Sequence, residues 1–341
     1  VILVDQNRSY DALAHLQKLR ALSQAPGMEY WAAYGSLILG GTYLQLNQYE
    51  ESLRQYSAAL VPGYTLSNEV ILPQALQGLG RVMERLDRLS EARNYYREAV
   101  RTLDILANED TAFAAPAIEA LRLGLIISQG DLALRMKDLT SAEQHFRTSL
   151  QGSLNGMREI EARSRIGLAQ VALERGDLAG AKADIAAALA LSIKGQYRHV
   201  EWQAEYLNGK LLRHLKQYTA ALDCLRKSAT TLEQIRKGIG TVDLRYAFLN
   251  RRFDPYKESV SLLHHALNDK QRALEYADRA KSITLQEYLS IRHPEIISQG
   301  TRQGRIEDAK RIQLPYPFVE YFVADGEVFI FLIDGPNVRA V

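Results

Sequence analysis

Cysteine is almost absent from this chain of 341 residues, where Cys224 stands alone. That excludes an intramolecular disulfide framework and a cysteine-based zinc site, and it favours a reducing, cytoplasmic setting. Net charge is scarce too. Forty-two Lys and Arg against forty Asp and Glu leave +2, too little for the dense positive field of a dedicated nucleic-acid binder. No run of eighteen apolar residues occurs, so no membrane-spanning helix is expected. The chain has no Walker lysine motif and no Gly-x-Ser-x-Gly elbow, while Gly238-Ile239-Gly240 follows a helical stretch and lacks a third glycine. Its seven histidines lack metal-ligand spacing, and the adjacent His264 and His265 would point about 100° apart on a helix, one packed and one solvated. No cofactor is expected. The chain opens on Val1 without an initiator Met or a charged leader. A trimmed or cleaved start is therefore expected, which leaves a removed signal peptide open, and the abrupt end on the strand-like Asn337 to Val341 reads as a chain that continues.

What is present in quantity is a repeat. A small residue is followed three on by a large one, then a turn, then large-x-x-small-x-x-x-large-x-x-small. The clearest copy is Gly40, Tyr43, Tyr49, Ser52, Tyr56, Ala59. Others run from Gly80 through Ala92 and Tyr96 to Ala99, from Gly130 through Ala142 and Phe146 to Ser149, and from Ala169 through Ala181 and Ile185 to Ala188. Two more run from Gly209 through Ala221 to Ser228 and from Ser261 through Ala273 to Ala280. The first small residue of each second helix falls at 52, 92, 142, 181, 221 and 273, a period near 40 with two longer steps.

Spacings of three and four put these residues on one face of each of two helices, and the small ones let the helices approach closely. One such hairpin cannot bury its apolar face alone, but a stack of them makes a continuous core. Turns are expected at Asn47-Gln48, Asp87-Arg88, Lys137-Asp138, Gly176-Asp177, Lys216-Gln217 and Asn268-Asp269. Residues 5–22 read as one helix of an earlier unit. The copy Leu39-Gly40-x-x-Tyr43, Tyr49-x-x-Ser52-x-x-x-Tyr56-x-x-Ala59-Leu60 resembles the tetratricopeptide repeat, with Pro62 alone standing for its closing proline and with units longer than usual. The resemblance implies a mainly α chain: a right-handed superhelical solenoid of antiparallel helix pairs over 1–292.

Beyond a linker at 293–313, with a short helix at 306–312, the period changes from 3.6 to 2. Phe318–Val323 and Val328–Ile333 are β-rich runs joined through Asp325-Gly326, a hairpin with a tight turn, and a third strand follows Asp334-Gly335-Pro336-Asn337. Both runs are apolar on both faces, so the hairpin must pack on the solenoid, on a second chain, or within a larger sheet. The stretch Ala273 to Lys281 continuing through Leu285 to Leu289, followed by Phe318 to Phe331, resembles the junction in bacterial proteins that join tetratricopeptide repeats to a CHAT domain. CHAT is a caspase-like and separase-like cysteine protease domain of α/β fold. The resemblance implies that 314–341 opens such a domain, that its His and Cys lie downstream, and that this chain alone is not an enzyme although its parent is a protease. Cys224 sits on a repeat helix and matches no catalytic position.

The remaining functional surface is the inner face of the first helices. There Gln77, Arg81 and Arg85, then Asp131 and Arg135, then Tyr206, Lys210, Arg213 and His214 form a basic, four-residue-spaced face suited to an acidic protein or peptide partner. Charge reversal at Arg81 and Arg213 is expected to weaken binding and spare the fold. Tyr34, Trp31 and Trp202 are candidate aromatic anchors, although tryptophan in such repeats is more often core. The preferred reading is an interaction scaffold that controls a protease. The alternatives are a protease completed in trans and a ligand-sensing repeat region of a bacterial signalling or transcription regulator.

Overall fold

A computed structural model of the chain describes residue 18 and residues 27–65, 71–107, 115–153, 156–239, 245, 248, 252–280, 317–324, 326–334 and 337–340. The expected helix over 5–22 (Lys18 apart), the linker over 293–313 with its short helix, and the run from Leu285 to Leu289 lie outside the described residues.

Helices α1 (Glu29–Gln45) and α2 (Tyr49–Thr65), α3 (Ile71–Arg85) and α4 (Leu89–Ala107), α5 (Ala115–Arg135) and α6 (Leu139–Ser153), and α7 (Arg158–Arg175) and α8 (Leu178–Gly195) are successive pairs. They are followed by α9 (Arg198–His214), α10 (Tyr218–Lys237), α11 (Asp254–Ser261) with a π-turn over Leu262–Ala266, and α12 over 270–280. Each expected turn holds its first residue at positive φ: Asn47, Asp87, Lys137, Gly176, Lys216 and Asn268. The next amide then returns to the helix, as when Gln48 donates to the Tyr43 carbonyl at 2.9 Å and Asp177 to that of Ala172 at 2.8 Å. This left-handed cap satisfies carbonyls that a helix end otherwise leaves open.

The small-large ladder explains the packing. A Cβ on Gly40 would stand 2.7 Å from the Tyr56 ring, and one on Gly80 would stand 2.4 Å from the Tyr96 ring. Only glycine lets these helices meet over an aromatic ring. Ser52 donates its buried hydroxyl to the Gly40 carbonyl at 2.7 Å, so the small polar residue of the ladder is satisfied across the pair. Pro62, read as the closing proline, instead lies inside α2, which runs on to Thr65.

The chain packs as two compact units, 1–207 with 237–240, and 208–236 with 241–341. In the first, α1 to α8 stack in chain order, each helix touching the next. Tyr56, Tyr96 and Phe146 anchor successive parts of the core, together with Leu79, Leu103, Leu125 and Val171. Trp31, expected in the core, is 49% exposed and packs edge-on against Tyr30 and Tyr34.

In the second unit, β1 (Phe318–Ala324), β2 (Glu327–Asp334) and β3 (Asn337–Ala340) form an antiparallel sheet in that order. Each of the two long strands is one residue longer at the hairpin than expected, which leaves a two-residue turn with Gly326 at φ 82°. The register pairs Phe322 with Phe329 and Glu320 with Phe331. Phe322, Ala324, Phe329, Phe331 and Ile333 share the buried face, where the rings of His264 and His265 lie 5.1 and 5.5 Å from that of Phe329. The other face carries Val319, Tyr321, Val323, Val328, Ile330 and Leu332, all 39–65% exposed.

Candidate functional site

The first helices of three pairs lie in a row in the first unit, α3 touching α5 and α5 touching α7. The face that the sequence pattern singled out on α3 meets α5 at two polar ties. Gln77 donates to the Ser128 hydroxyl at 3.0 Å, and that hydroxyl donates to the Gly124 carbonyl at 3.1 Å. About two turns further on, Arg135 donates to the Glu84 carbonyl and to the Asp87 carboxylate, the latter at 2.8 Å. Gln77 and Arg135 therefore bind neighbouring helices together, and the charge of Arg135 is already answered.

Between these ties lie Arg81 and Arg85 on α3 and Asp131 on α5. Arg81 is exposed, with no hydrogen bond or ion pair to another described residue, and it borders a cavity of about 280 Å³ beside Tyr34, Gln45, Tyr56, Gln74 and Gln77. Tyr34 thus lines this surface, as an aromatic anchor would. Burial pushes the Tyr56 hydroxyl up to about 12, with Arg81 pulling the other way. Tyr96 donates to Glu84 at 3.0 Å, and burial first, then the Glu84 charge, hold its hydroxyl well above the ordinary tyrosine value. Both phenols stay neutral donors at physiological pH.

Asp131 receives the opposing fields of several charges. Burial raises its carboxyl to about 6, and Glu84 adds to the rise, while Arg163, Arg81 and Arg85 act against it. Arg163, on α7, is the site residue that the sequence reading missed. Burial and the Arg81 charge lower its affinity for a proton, and Asp131 and Glu159 restore part of it. Glu159 is held by His199 at 3.1 Å, a hydrogen bond that lowers its carboxyl. A signal for Arg163 existed. It precedes the ladder residue Ala169 by six positions, the offset at which Tyr34 and Gln74 precede Gly40 and Gly80, and both of those line the cavity.

In the second unit the candidates are placed differently. Arg213 donates to Glu258 at 2.5 Å and to the Ser261 hydroxyl at 3.1 Å, and Glu258 is buried. Lys210 is half-buried, and His214 is exposed at the end of α9. Tyr206, in the first unit, is half-buried. Nearby, Glu233 accepts from the Tyr256 hydroxyl and takes a two-bond contact from Arg279 at 2.9 and 3.0 Å. Cys224 is buried on α10 with the Asn208 amide 3.3 Å from its sulfur, as expected of a packed thiol. Among the described residues no cluster of three or more His, Cys, Asp or Glu has metal-binding proximity, and no helix is long and apolar enough to cross a membrane.

No protein-family model matches the chain, and no curated protein matches it significantly. Solved structures do. The crystal structure of BtubC (BKLC) from P. vanneervenii is 17% identical over 71% of this chain and 91% of its own, with a TM-score of 0.50. A chain of the APC/C hetero-tetramer Cut9-Hcn1 is 18% identical over 82% of this chain, with a TM-score of 0.50, but the match spans only 47% of that longer chain. At such identities the likeness is one of fold. Joined to the ladder of glycines and rings, it makes the helical part of this chain a tetratricopeptide-type solenoid of antiparallel helix pairs, followed by a small antiparallel sheet.

Proposed function

We propose that the chain is a protein-interaction scaffold whose first unit binds an acidic segment of a partner on the face of α3, α5 and α7. The observation that carries this is Arg81: an exposed guanidinium without an ion pair among the described residues, beside a cavity walled by Tyr34 and Tyr56. Arg85 follows Arg81 by one turn on α3, and Arg163 on α7 carries charge of the same sign that is felt at Arg81. A charge-assisted bond to a carboxylate is worth about 1.5 to 3 kcal/mol. The similar Cut9-Hcn1 structure is itself a protein assembly, which fits this reading. The test is titration of the chain with an acidic, aromatic-containing peptide. Reversing Arg81 and Arg163 together should weaken binding by more than about tenfold, a loss of about 1.4 kcal/mol. Unchanged affinity would move the partner elsewhere.

The finer reading joins residues 1–292, as solenoid, through a linker at 293–313 to the first strands of a CHAT protease at 314–341, in a bacterial cytoplasmic protein. Its support is the resemblance of Phe318 to Phe331 to that domain's opening hairpin and the apolar outward face of the sheet, which suits a sheet completed by further elements. The longer reading frame tests it: a strand-end His followed by a Cys after a later strand, and peptidase activity lost when that Cys, but not Cys224, is changed to Ser.

A further inference from the structure

The cavity of the first unit has two unlike ends. At one, the Arg81 guanidinium and the Tyr56 hydroxyl border it, and neither has a hydrogen-bond or ion-pair partner among the described residues. Tyr56 is buried, so its hydroxyl is costly there unless water or a ligand pairs with it. A Cβ on Gly41 would stand 3.3 Å from that hydroxyl, and Gly41 and Arg81 each follow the ladder glycine of their own helix by one position, so the two donors share one level of the groove. Arg81 is the only charged side chain among the lining residues. The other end is apolar. Tyr34 stands seven residues before Gly41, Leu37 and Ile38 continue its face, and Leu121 closes the wall from α5, nine residues ahead of the ladder glycine Gly130. Past the cavity, Tyr34 stacks on Tyr30 at 6.2 Å and meets Trp31 edge-on at 6.5 Å, and both of these rings are exposed.

We infer that the cavity reads two side chains of an extended segment of the partner: a large apolar one seated beside Tyr34 and, three residues away, a carboxylate bound by Arg81 and the Tyr56 hydroxyl. The inference rests on the acidic-partner reading above and adds the pattern that the partner must carry. Seven helical positions separate the two ends, from Tyr34 to Gly41 on α1 and again from Gln74 to Arg81 on α3, a span of about 10 Å. A chain of the polyproline type rises about 3.1 Å per residue with three residues per turn, so residues i and i+3 point the same way about 9 Å apart. A β-strand would turn them to opposite faces. A helix would need seven residues for the span, and its diameter of about 10 to 12 Å is more than a cavity of about 280 Å³ admits. That volume is also small for a free ligand, whose pockets run from about 300 to 1,000 Å³.

The probes are fluorescein-labelled peptides of one length and one composition, a single Phe and a single Asp in a Ser-Gly background, with binding read by anisotropy at constant ionic strength. Phe and Asp stand one, three or seven residues apart, in both orders. In the better order the three-residue peptide should bind at least about tenfold tighter than the other spacings, the strength of one charge-assisted bond. Replacing its Asp by Asn should weaken binding to the wild type by about tenfold and leave binding to Arg81→Gln unchanged. Replacing its Phe by Ala should weaken binding to the wild type but not to Ile38→Trp or Leu121→Trp, which fill the apolar end, with melting curves confirming each fold. Equal affinity at all three spacings overturns the inference and leaves the acidic-partner reading standing. A best spacing of one, or of seven as a helical ligand would show, has the same effect, and so does a preference for Phe that survives in both filled variants. No binding of any peptide, or no penalty for Asn in the wild type, overturns both.

Discussion

Arg213 is held by Glu258. The two charged groups lie 2.5 Å apart, and the Ser261 hydroxyl takes a second guanidinium bond at 3.1 Å. Glu258 is only 7% exposed, so its charge has been withdrawn from water and is answered by Arg213 from one side. A residue whose type and spacing suited it to a partner is committed within its own unit.

Arg213→Glu should therefore unfold the second unit more easily rather than simply disable a surface. Removing one member of a buried pair leaves an unanswered charge, at a cost of about 3 kcal/mol. Urea unfolding checks this, with Arg81→Glu as the comparison, expected within about 0.5 kcal/mol of wild type as an exposed substitution. A wild-type melting curve for Arg213→Glu would show that the pair contributes nothing.

Gly78 and Gly124 should respond to alanine with opposite signs. A Cβ on Gly78 would stand 2.3 Å from the Tyr56 ring, whereas one on Gly124 would meet nothing nearer than the Gln77 amide at 3.8 Å. Both lie within helices, where alanine is favoured over glycine by about 1 kcal/mol. At Gly124 that gain should appear. At Gly78 the clash should outweigh it, for a net loss of about 1 to 3 kcal/mol, as in an overpacked core. Thermal melts of the two variants decide the matter.

The Asp131 carboxyl also carries a stability signature. Its folded pKa, about 6, lies above its ordinary value of 3.8, so its contribution is full below that ordinary value and is lost as pH rises through 6. Asp131→Asn should then stabilise the first unit at pH 7.5 by about 1 to 2 kcal/mol and have little effect at pH 4. Burial acts oppositely on His145 and His264, whose imidazoles are lowered and whose contribution fades as pH falls below about 6.5. The difference between variant and wild type, rather than either curve alone, isolates Asp131.

Neighbouring residues of β2 should differ sharply. Phe331 is fully buried and Ile330 is 43% exposed on the opposite face. Phe331→Ala should cost about 3 to 5 kcal/mol, and Ile330→Ala less than about 1 kcal/mol. Similar losses for both would mean that the outward face is covered in solution.

The helix pairs were legible because the ladder and the turns demand particular residues. Asn47 and Gly176 suit a left-handed backbone, and their regular spacing gave Lys137 and Lys216 the same role despite side chains that disfavour it. The sheet's strands were legible too, but not its faces, since Tyr321 and Phe322 are both large and apolar and only packing distinguishes them. At the site, Arg81 follows from helical periodicity alone. Arg163 belongs to another turn of another helix, and Arg213 differs from Arg81 only by what faces it. Those distinctions are tertiary, and no spacing within one helix contains them. Trp31 misled for a related reason, because its partners Tyr30 and Tyr34 are on its own exposed helix face.

The rings of Tyr56 and Phe146 each occupy two glycine notches. Tyr56 fits against Gly40 of its own pair and Gly78 of the next, and Phe146 fits against Gly130 and Gly167 in the same manner. Such a ring belongs to neither repeat alone. In a linear array, stability is a sum of unit and nearest-neighbour contributions, and a shared ring weights it toward the neighbours. Tyr96 meets a glycine notch only within its own pair, at Gly80. The joint between α4 and α5 therefore lacks the bolt found on either side of it, and the first unit should open as two cooperative blocks, α1 to α4 and α5 to α8, with amide exchange uniform inside each and distinct between them. The Gln77–Ser128 and Arg135–Asp87 ties cross that joint. A ligand gripping both Arg81 and Arg163 would cross it as well, merging two folding blocks into one.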